Sequence, residues 1–493
     1  MDELIARLAA HAAARPSHPA VVENGIATSY ACFLDRARRL AFGLAAHGER
    51  PKVMIHLPQG TDAYVAMFAT GYAGGVYAPS NIVAPLAKQW LVLEQFAPDV
   101  VVSNAALFDE LVAEYQGSRP VLIEPSAIQS VSPLEQSRPP HDLAYVIFTS
   151  GSTGIPKGVM VRRIGLEHYV DWVLAATEVT PNDRWSQHPN LAFDLSVLDI
   201  YGALCGGATL FPLTSALHRL MPARAIREFG LTIWNSVPSV VTLMTRAGQV
   251  NADNLATLRL MIFCGEPLLP EHLKLLFAVR PDLVVYNTYG PTEATVSCTL
   301  LRLTASDYRR ACRNTVAIGD PIPGMALHLV QGDTPSEGEL VITGPQLARG
   351  YWNDPFATAG AFRELEVDGM AVRAYYTGDW ARRIGNQTFF IGRRDSQVKI
   401  SGYRLELGEV DAALRTCGYP FAASAVVEGE LHAFLETDDA TVDTEALRLR
   451  LAALLEAHAI PRCFHVIGHL PRNANDKIDV LALIGEAGHR EQL

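Results

Sequence analysis

Short apolar runs alternate with helix-like stretches over the first 300 residues, and this alternation constrains the fold more than any other feature of the sequence. The runs have the length and composition of buried strands. They are PKVMIHL, DVVVSN, RPVLIE, LAYVIFTS, ATLFPL, LTIWNSVP, LRLMIFCGE and LVVYNTYG. Between them lie stretches such as TDAYVAMFATGYAGG, LSVLDIYGALCGG and PEHLKLLFAV, which we predict to be helices. Because strand–helix alternation is typical of parallel sheets covered by helices, we predict an α/β fold.

The pattern changes from about residue 316 onwards. The segments MALHLVQ, GELVITG and AYYTGDWARRIGNQTFFIG are short, punctuated by glycine and partly alternating, which predicts an antiparallel, barrel-like region. A second change falls near residues 393–396. Beyond it we predict a helix at LGEVDAALRT, one strand over ASAVVEGELHAFLET, a helix at DTEALRLRLAALLEAH, a strand at CFHVIG and a loop at LPRNANDKID. We therefore predict a large domain, residues 1–394, and a small α+β domain, residues 395–493.

The length and charge of the chain exclude several classes of protein. A chain of 493 residues is too long for one ordinary core, so at least two domains are expected. Its formal net charge is -11 and it has no strongly basic run, so we expect no nucleic-acid partner. A mild excess of acidic residues is typical of a soluble protein.

The cysteines and the apolar segments indicate the cellular compartment. The seven cysteines include no CxxC pair, which argues against a disulfide framework or a zinc site. The first residues are typical of an amphipathic helix and not of a secretory signal. The most apolar later segment, AYVAMFATGYAGGVYAP, is interrupted by glycine and too short to span a bilayer. We therefore expect a cytoplasmic protein with no membrane partner.

The loop FTSGSTGIPKGV follows an apolar run and has the chemistry of a phosphate site. Its glycine and lysine spacing does not fit the Walker pattern GxxxxGK[ST]. Glycines still let backbone N–H groups approach phosphate oxygens, and Lys157 adds a positive charge. The hydroxyls of Thr149, Ser150, Ser152 and Thr153 add further donors. Taken alone, the loop is also compatible with a flexible surface loop.

Three further stretches complete a possible nucleotide site. NTYGPTEATV, residues 287–296, combines an aromatic ring, Tyr289, with a carboxylate, Glu293, which suit a base and Mg²⁺ respectively. YYTGDWARR places Asp379 where a carboxylate could accept both hydroxyls of a ribose. IGRRDSQVKISGYRLELGEV is a basic, glycine-rich link. The simpler interpretations are a turn with a solvated Glu, an ordinary hairpin and a solvated linker.

Together these four stretches resemble the adenylate-forming superfamily, which includes acyl-CoA synthetases, luciferases and the adenylation domains of nonribosomal peptide synthetases. The motifs occur in the family's order along nearly the whole chain, with GELVITGPQLARGYWNDP and NANDKID among them. Within the superfamily, FDLSVLDIYGAL, FCGEPL and NTYGPTEATV are most similar to the amino-acid-activating branch, especially D-alanine–carrier protein ligases. The resemblance implies two parallel-rich sheets covered by helices, a small barrel-like region and a mobile C-terminal α+β domain.

The resemblance also implies ATP and Mg²⁺ and assigns roles to residues. The loop would hold the β- and γ-phosphates, Tyr289 would pack on adenine, Glu293 would bind Mg²⁺, and Asp379 and Arg393 would hold the ribose. The implied ATP-binding residues are Thr149, Ser150, Gly151, Ser152, Thr153, Gly154, Lys157, Asn287, Thr288, Tyr289, Gly290, Thr292, Glu293, Asp379 and Arg393.

Two further positions match the family's moving parts. Asp395 matches the hinge between the domains, and Lys477 matches the catalytic lysine that reaches the carboxylate and the α-phosphate. Attack of a carboxylate on the α-phosphate adds negative charge to an anionic centre, so a positive group there stabilises the transition state more than the ground state. Without the other motifs, Lys477 would be interpreted as a solvated surface lysine.

The acid to be activated is constrained by an aspartate in FDLS. In the amino-acid branch this position, here Asp194, faces the substrate ammonium, although it could also cap a helix. The implied pocket is formed by Asp194, Leu195, Leu198, Asn235, Ile262, Cys264, Gly265, Thr288, Val296 and Ser297. It holds no second charge after Asp194, so a charged substrate side chain would lack a partner there. We expect a small or apolar amino acid: D-alanine, glycine, L-alanine, proline and small β-amino acids all remain open. Cys264 could equally be a plain buried thiol.

The predicted reaction has two steps. An amino acid and ATP give aminoacyl-AMP and pyrophosphate, and the aminoacyl group then passes to a phosphopantetheine thiol. Lys399 and Gly402 of KISGYR are candidates for the tunnel that admits this arm. The chain ends soon after NDKIDVLAL, so we expect a free-standing monomer that acts on a separate carrier protein.

Two other functions fit the sequence less well than an amino-acid–carrier protein ligase. An acyl- or aryl-CoA ligase of the same superfamily would bury Asp194 unpaired against an acyl chain, which is unfavourable. A degenerate nucleotide-binding regulator would have damaged motifs, whereas Lys157, Glu293, Asp379, Arg393 and Lys477 are all in place.

Overall fold

A computed structural model describes most of the chain. The described residues are 3–149, 155–393, 397–400, 402–427, 429–437, 442–471 and 483–484. They form two compact units. Unit 1 comprises Met1–Ile82, Leu93–Phe148 and Gly158–Gly392, and unit 2 comprises Val83–Val92, Thr149–Lys157 and Arg393–Leu493.

The described residues contain fourteen α-helices, numbered in chain order. They are α1 (Glu3–Ala14), α2 (Tyr30–Ala45), α3 (Thr61–Tyr72), α4 (Leu86–Phe96), α5 (Ala105–Val112), α6 (Arg163–Thr177), α7 (Leu195–Gly206), α8 (Ala216–Leu220), α9 (Pro222–Phe229), α10 (Ser239–Arg246), α11 (Pro270–Val279), α12 (Pro355–Ala361), α13 (Leu407–Thr416) and α14 (Thr444–Ala452). Side-chain oxygens of Ser29, Asn104 and Asp443 cap α2, α5 and α14 by accepting hydrogen bonds from first-turn N–H groups. No described helix is long and apolar enough to cross a membrane.

The strands are likewise numbered in chain order. The first fourteen are β1 (Pro19–Glu23), β2 (Ile26–Ser29), β3 (Lys52–Ile55), β4 (Val76–Pro79), β5 (Val100–Val102), β6 (Val121–Ile123), β7 (Leu143–Thr149), β8 (Lys157–Arg162), β9 (Arg184–Gln187), β10 (Thr209–Pro212), β11 (Ile233–Ser236), β12 (Leu260–Phe263), β13 (Val284–Asn287) and β14 (Thr299–Leu303). The others are β15 (Asp320–Pro321), β16 (Ala326–Thr334), β17 (Glu337–Thr343), β18 (Phe362–Val367), β19 (Met370–Ile384), β20 (Gln387–Arg393), β21 (Gln397–Ile400), β22 (Tyr403–Glu406), β23 (Ala422–Val427), β24 (Glu430–Glu436) and β25 (Cys463–Ile467).

Two large sheets form the framework of unit 1. A six-stranded sheet has the order β6-β5-β3-β4-β7-β8, and β5, β3, β4, β6 and β7 pair in parallel within it. A nine-stranded sheet has the order β15-β14-β13-β12-β11-β9-β10-β1-β2, with parallel pairing from β13 to β1 and antiparallel strands at both edges. The α/β fold class is confirmed, and all eight apolar runs predicted to be strands form strands. Seven of them are largely buried, but the prediction of a buried strand is wrong for β6, where Val121 is 44% exposed.

Helices α3 and α7 lie at the centre of the unit. Almost every residue of both helices is buried, which is the pattern of a helix covered on all sides. Helix α3 packs on β3 and β4 and α7 packs on β9 and β10, so the two helices contact different sheets. The rings of Phe68 on α3 and Tyr201 on α7 are 5.0 Å apart, and one continuous apolar core includes both. This core fixes the position of α7, which carries part of the predicted substrate pocket.

The region after residue 316 is antiparallel, as predicted. Strands β16, β17, β19 and β18 pair in that order, and β20 pairs with β19. The long strand β19 contains the predicted nucleotide residue Asp379.

Unit 2 contains a two-stranded sheet, β21-β22, and a three-stranded sheet, β23-β24-β25. The single strand predicted over ASAVVEGELHAFLET is wrong: it is a hairpin in which Val427 pairs with Glu430. Gly429 in the turn has φ 86°, a conformation that favours glycine. The last predicted helix is shorter than expected, because α14 ends at Ala452 and only a 3₁₀ turn, Ala457–Ala459, follows.

Candidate functional site

The carboxyl ends of β11, β12 and β13 bring several predicted site residues to one edge of the nine-stranded sheet. These three strands are parallel neighbours, and Asn235 on β11 is in register with Ile262 on β12. Cys264 and Gly265 follow β12, while Thr288, Tyr289 and Gly290 follow β13, whose last residue is Asn287. This edge is where open α/β sheets bind their ligands.

The segment after β13 turns back sharply on itself. A Cβ added to Gly290 would lie 2.5 Å from the Cα of Ser297, so only glycine fits at this crossing. The Cys298 N–H donates to the Tyr289 carbonyl at 2.8 Å and holds the two arms together. Between them, Thr292–Ala294 form a 3₁₀ turn, and Thr295 and Val296 have φ 57° and 68°. Each such non-glycine residue stores roughly 1–3 kcal/mol of strain, which is typical of functional sites.

Tyr289 and Asp379, predicted to contact adenine and ribose, lie against each other. The Tyr289 hydroxyl donates to Oδ2 of Asp379 at 2.5 Å, and both side chains are buried. Burial raises the pKa of Tyr289, and the neighbouring carboxylate of Asp379 raises it further. The structure therefore joins two residues 90 positions apart that the sequence assigns to one nucleoside.

Glu293, the predicted Mg²⁺ ligand, is fully buried and not solvated. Its Oε1 accepts a hydrogen bond from the hydroxyl of Tyr351 at 2.8 Å, and its carbonyl accepts one from the N–H of Ala348 at 2.8 Å. Sequence analysis did not single out Tyr351, although it belongs to the quoted stretch GELVITGPQLARGYWNDP. An ionised carboxylate can accept several partners at once, so Glu293 could bind a hard cation such as Mg²⁺ in addition to the Tyr351 hydroxyl.

The predicted substrate residues meet around the N-terminus of α7. Asp194 occupies the N-cap position, but none of the described N–H groups of the helix donates to its carboxylate as a cap. The amide of Asn235 donates to the carbonyl of Leu195 at 3.3 Å. The thiol of Cys264 lies 3.9 Å from the carbonyl of Val296. Leu195, Leu198, Ile262, Thr288 and Ser297 are also buried.

Two tyrosines that sequence analysis missed belong to this pocket. The Ser297 hydroxyl donates to the Tyr169 hydroxyl at 3.3 Å. Tyr145 is fully buried; burial raises its pKa, and the nearby charge of Asp194 raises it further. Both lie outside the motifs, on α6 and β7, and only the folded chain brings them to Asp194.

Asp199, one turn further along α7, is the most consequential residue that the motifs did not identify. Its Oδ1 accepts hydrogen bonds from the indole of Trp185 at 3.0 Å and from the amide of Asn235 at 2.9 Å. Burial raises its pKa well above the usual range, which favours the neutral acid. The sequence signal was an aspartate within an otherwise apolar helix. Asp199 thereby fixes the amide plane of Asn235 in the pocket wall.

The remaining predicted residues are placed only in part. Thr149 ends β7, and its hydroxyl donates to the carbonyl of Lys157, which begins β8, at 3.4 Å. The phosphate loop thus connects two strands, whereas a Walker loop leads into a helix. Arg393 is the last residue of β20. Ser150, Gly151, Ser152, Thr153, Gly154, Asp395 and Lys477 lie outside the described residues.

Comparisons with known proteins agree with the fold and the motifs. Residues 8–352 match the model of the AMP-binding enzyme family. The L-proline–[L-prolyl-carrier protein] ligase of Pseudomonas fluorescens is 34% identical, with 96% of this chain and 97% of that protein covered. The D-alanine–D-alanyl carrier protein ligase of Staphylococcus aureus is 30% identical, with 97% and 98% covered.

A solved structure supports the same assignment. The Vibrio cholerae adenylation domain AlmE, in complex with glycyl-adenosine-5'-phosphate, superposes with a TM-score of 0.84 at 27% identity, with 99% of this chain and 98% of that chain covered. The chain belongs to the AMP-binding enzyme family. The predicted membership of the adenylate-forming superfamily is confirmed, and with it the prediction of an AMP-forming ligase.

Proposed function

We propose that the protein is an ATP-dependent amino-acid–carrier protein ligase that activates a small or apolar amino acid as aminoacyl-AMP. Its relatives carry the names of ligases for L-proline and D-alanine, and its structural neighbour holds a glycyl adenylate. All three are small amino acids without a charged side chain. Glycine, the alanines, proline and small β-amino acids are accordingly the candidate substrates.

The observation that carries this proposal is the acceptor-rich end of the pocket. Asp194 lies at the N-terminus of α7. The Oδ1 atom of the buried Asn235 has no hydrogen-bond partner among the described residues. Buried acceptors without donors are unfavourable, and an ammonium group supplies three donors. A carboxylic acid without an amine would supply none, which disfavours the acyl- or aryl-CoA ligase.

The rest of the pocket sets the size of the side chain. Leu198, Ile262 and Val296 present apolar groups, and Asp199, which holds the Asn235 amide, favours its neutral form. A charged substrate side chain would therefore lack a partner, whereas the burial of a small apolar side chain is favourable.

The chain's own residues divide the first half-reaction between them. Tyr289 packs on adenine. Asp379 accepts hydrogen bonds from the ribose hydroxyls, and Arg393 donates to the ribose. The loop 149–158 holds the pyrophosphate that leaves. Glu293, oriented by Tyr351, would hold Mg²⁺, which neutralises phosphate charge when bound. Lys477 places a positive charge at the α-phosphate as the substrate carboxylate attacks it. No general base is needed, because a carboxylate is already ionised at neutral pH.

In the second half-reaction the thiol of a phosphopantetheine arm on a separate carrier protein attacks the adenylate and releases AMP. Lys399 lies on β21, and Gly402 lies in the turn between β21 and β22, where KISGYR forms a hairpin. We propose that this hairpin borders the arm after the small domain, residues 395–493, turns about Asp395. The enzyme would act as a cytoplasmic monomer in the biosynthesis of a nonribosomal natural product, without nucleic acid or membrane.

The proposal is tested by ATP–pyrophosphate exchange. The panel comprises glycine, both alanines, proline and small β-amino acids, with propionate and benzoate as acids that lack an amine. We expect exchange with one or a few of the amino acids and none with the two plain acids, and Lys477→Ala should lose it while keeping its circular dichroism spectrum. Exchange driven best by propionate or benzoate would contradict the proposal and favour the acyl- or aryl-CoA ligase.

A further inference from the structure

The small three-stranded sheet of unit 2 carries a cluster of metal-binding side chains that belongs to none of the adenylation motifs. Glu430 and His432 are two residues apart on β24, and Cys463 begins β25. Because β24 and β25 pair in parallel with His432 opposite Cys463, the three side chains project from the same face of the sheet. One ligand atom from each lies within 4.8 Å of the other two.

We propose that Glu430, His432 and Cys463 bind a transition-metal ion, with Zn²⁺ as the ion they fit best. Donor atoms around tetrahedral Zn²⁺ lie roughly 3.3–3.8 Å apart, given metal–ligand bonds of about 2.0–2.3 Å, so small side-chain rotations complete the set. A thiolate, an imidazole and a carboxylate together favour a borderline-soft ion over Mg²⁺ or Ca²⁺. Three protein ligands leave the fourth position to a water molecule.

The charges of the cluster suit a divalent ion. Binding releases the thiol proton of Cys463 and forms the metal–sulfur bond, so the thiolate and the Glu430 carboxylate together balance the two positive charges of Zn²⁺. Arg462 also pairs with Oε1 of Glu430 at 2.6 Å, but Arg462 is largely exposed and such pairs are weak. His432 is 1% exposed, so the ion would lie against a buried ligand.

His465 serves as a positioning residue beside the ligands. Its Nε2 lies 2.9 Å from Nδ1 of His432, and the two rings stack with their centroids 5.1 Å apart. When His432 donates from Nδ1, its Nε2 carries the lone pair that a metal needs. Ligand histidines commonly hold such a second partner, and its loss typically weakens metal binding about 10- to 100-fold.

The lack of CxxC pairs argued against a zinc site, because that pattern identifies only ligands that are close together in sequence. His432 and Cys463 are 31 positions apart in sequence, and only the pairing of β24 with β25 brings them together. An ion at this point would join the edge strand β25 to β24 and stabilise the small sheet.

The test uses the full chain, stripped with EDTA and titrated with Co²⁺ as a spectroscopic substitute for Zn²⁺. We expect one equivalent of Co²⁺ to give a near-ultraviolet thiolate-to-metal charge-transfer band that Zn²⁺ abolishes. Cys463→Ser should lose the band, and His465→Ala should keep it with an affinity about 10- to 100-fold lower. The matched control is Cys312→Ser, which removes another partly buried thiol and should change nothing. No band in the native chain, or a band that survives in Cys463→Ser, would overturn the proposal.

A second measurement needs no variant and so does not depend on how the variants fold. Zn²⁺ should slow alkylation of Cys463 in the native chain, measured by peptide mass spectrometry, while alkylation of Cys312 stays unchanged. Equal alkylation of Cys463 with and without Zn²⁺ would equally overturn the site.

Discussion

Asp194 and Asp199 lie five positions apart in the sequence and have different environments. Asp194 is partly exposed at the N-cap of α7, whereas Asp199 is fully buried and accepts from Trp185 and Asn235. The motif FDLS identified Asp194 without the structure. Asp199 could not be assigned in this way, because its two donors are 14 and 36 positions away and become partners only when β9 and β11 align beside α7.

At the same scale, two variants separate the acceptor role of Asp199 from its charge. Asp199→Ala leaves the indole of Trp185 and one N–H of the Asn235 amide without an acceptor, which should lower the free energy of unfolding by about 1–3 kcal/mol for each donor. Asp199→Asn keeps an acceptor and should cost much less. Urea unfolding measures both, with the exposed Asp253→Ala as a control. Equal losses for the Ala and Asn variants would contradict the role of Asp199.

The difference in stability between the native chain and Asp199→Asn should depend on pH, and the raised pKa of Asp199 sets the sign of this dependence. Burial raises the pKa of folded Asp199 above its ordinary value of 3.8, so the folded state holds a proton that the unfolded chain releases. This contribution is fully present below pH 3.8 and is lost as the pH rises through the folded pKa. The stability of the native chain relative to Asp199→Asn should therefore fall as the pH is raised. A constant difference would show that Asp199 has the same pKa in the folded and the unfolded chain, which would contradict the prediction.

At the scale of helices and strands, the predictions that succeeded rest on local sequence patterns, and those that failed had no such pattern. Eight of the fifteen strands in the two large sheets were predictable because each is a short apolar run between turns, and all of these except β6 are largely buried. The hairpin β23–β24 was missed because only three residues, EGE, separate its two apolar runs, and they include no Asn-Gly or Asp-Gly pair typical of a hairpin turn. The shape of the 289–298 turn was also beyond the sequence, since Val296 is a β-branched residue with positive φ, which local preferences oppose.

That turn gives the prediction that belongs to this scale. Gly290→Ala places a Cβ against Ser297 and should destabilise the protein by about 1–3 kcal/mol, as overpacked sites do. Because Tyr289 adjoins this crossing, the KM for ATP in pyrophosphate exchange should rise as well. Gly360→Ala is the matched control, since a Cβ there meets nothing within 4 Å. An unchanged KM for Gly290→Ala would mean that the crossing does not position Tyr289.

For the molecule as a whole, the proposed function uses the small domain in both half-reactions: Lys477 in adenylation and the KISGYR hairpin in thioester formation. The fold class and superfamily were predictable from the sequence because the motifs occur in order over nearly the whole chain. The hinge at Asp395 rests on that resemblance. Asp395→Pro restricts the backbone at the hinge and should slow thioester formation on a carrier much more than pyrophosphate exchange. Asp395→Ala is the control that leaves the backbone free, and equal loss of both half-reactions in Asp395→Pro would argue against a hinge.

The most direct test of the central claim, that Asp194 selects an amino acid by its ammonium group, is one matrix of pyrophosphate-exchange rates. The native chain and Asp194→Asn are each assayed with the preferred amino acid and with the same acid lacking the amine. Loss of a paired charge costs about 2–5 kcal/mol, so the native preference for the amine should fall roughly 30- to 5000-fold in Asp194→Asn. The rate with the deaminated acid should change little. A preference for the amine that survives unchanged in Asp194→Asn would contradict the account.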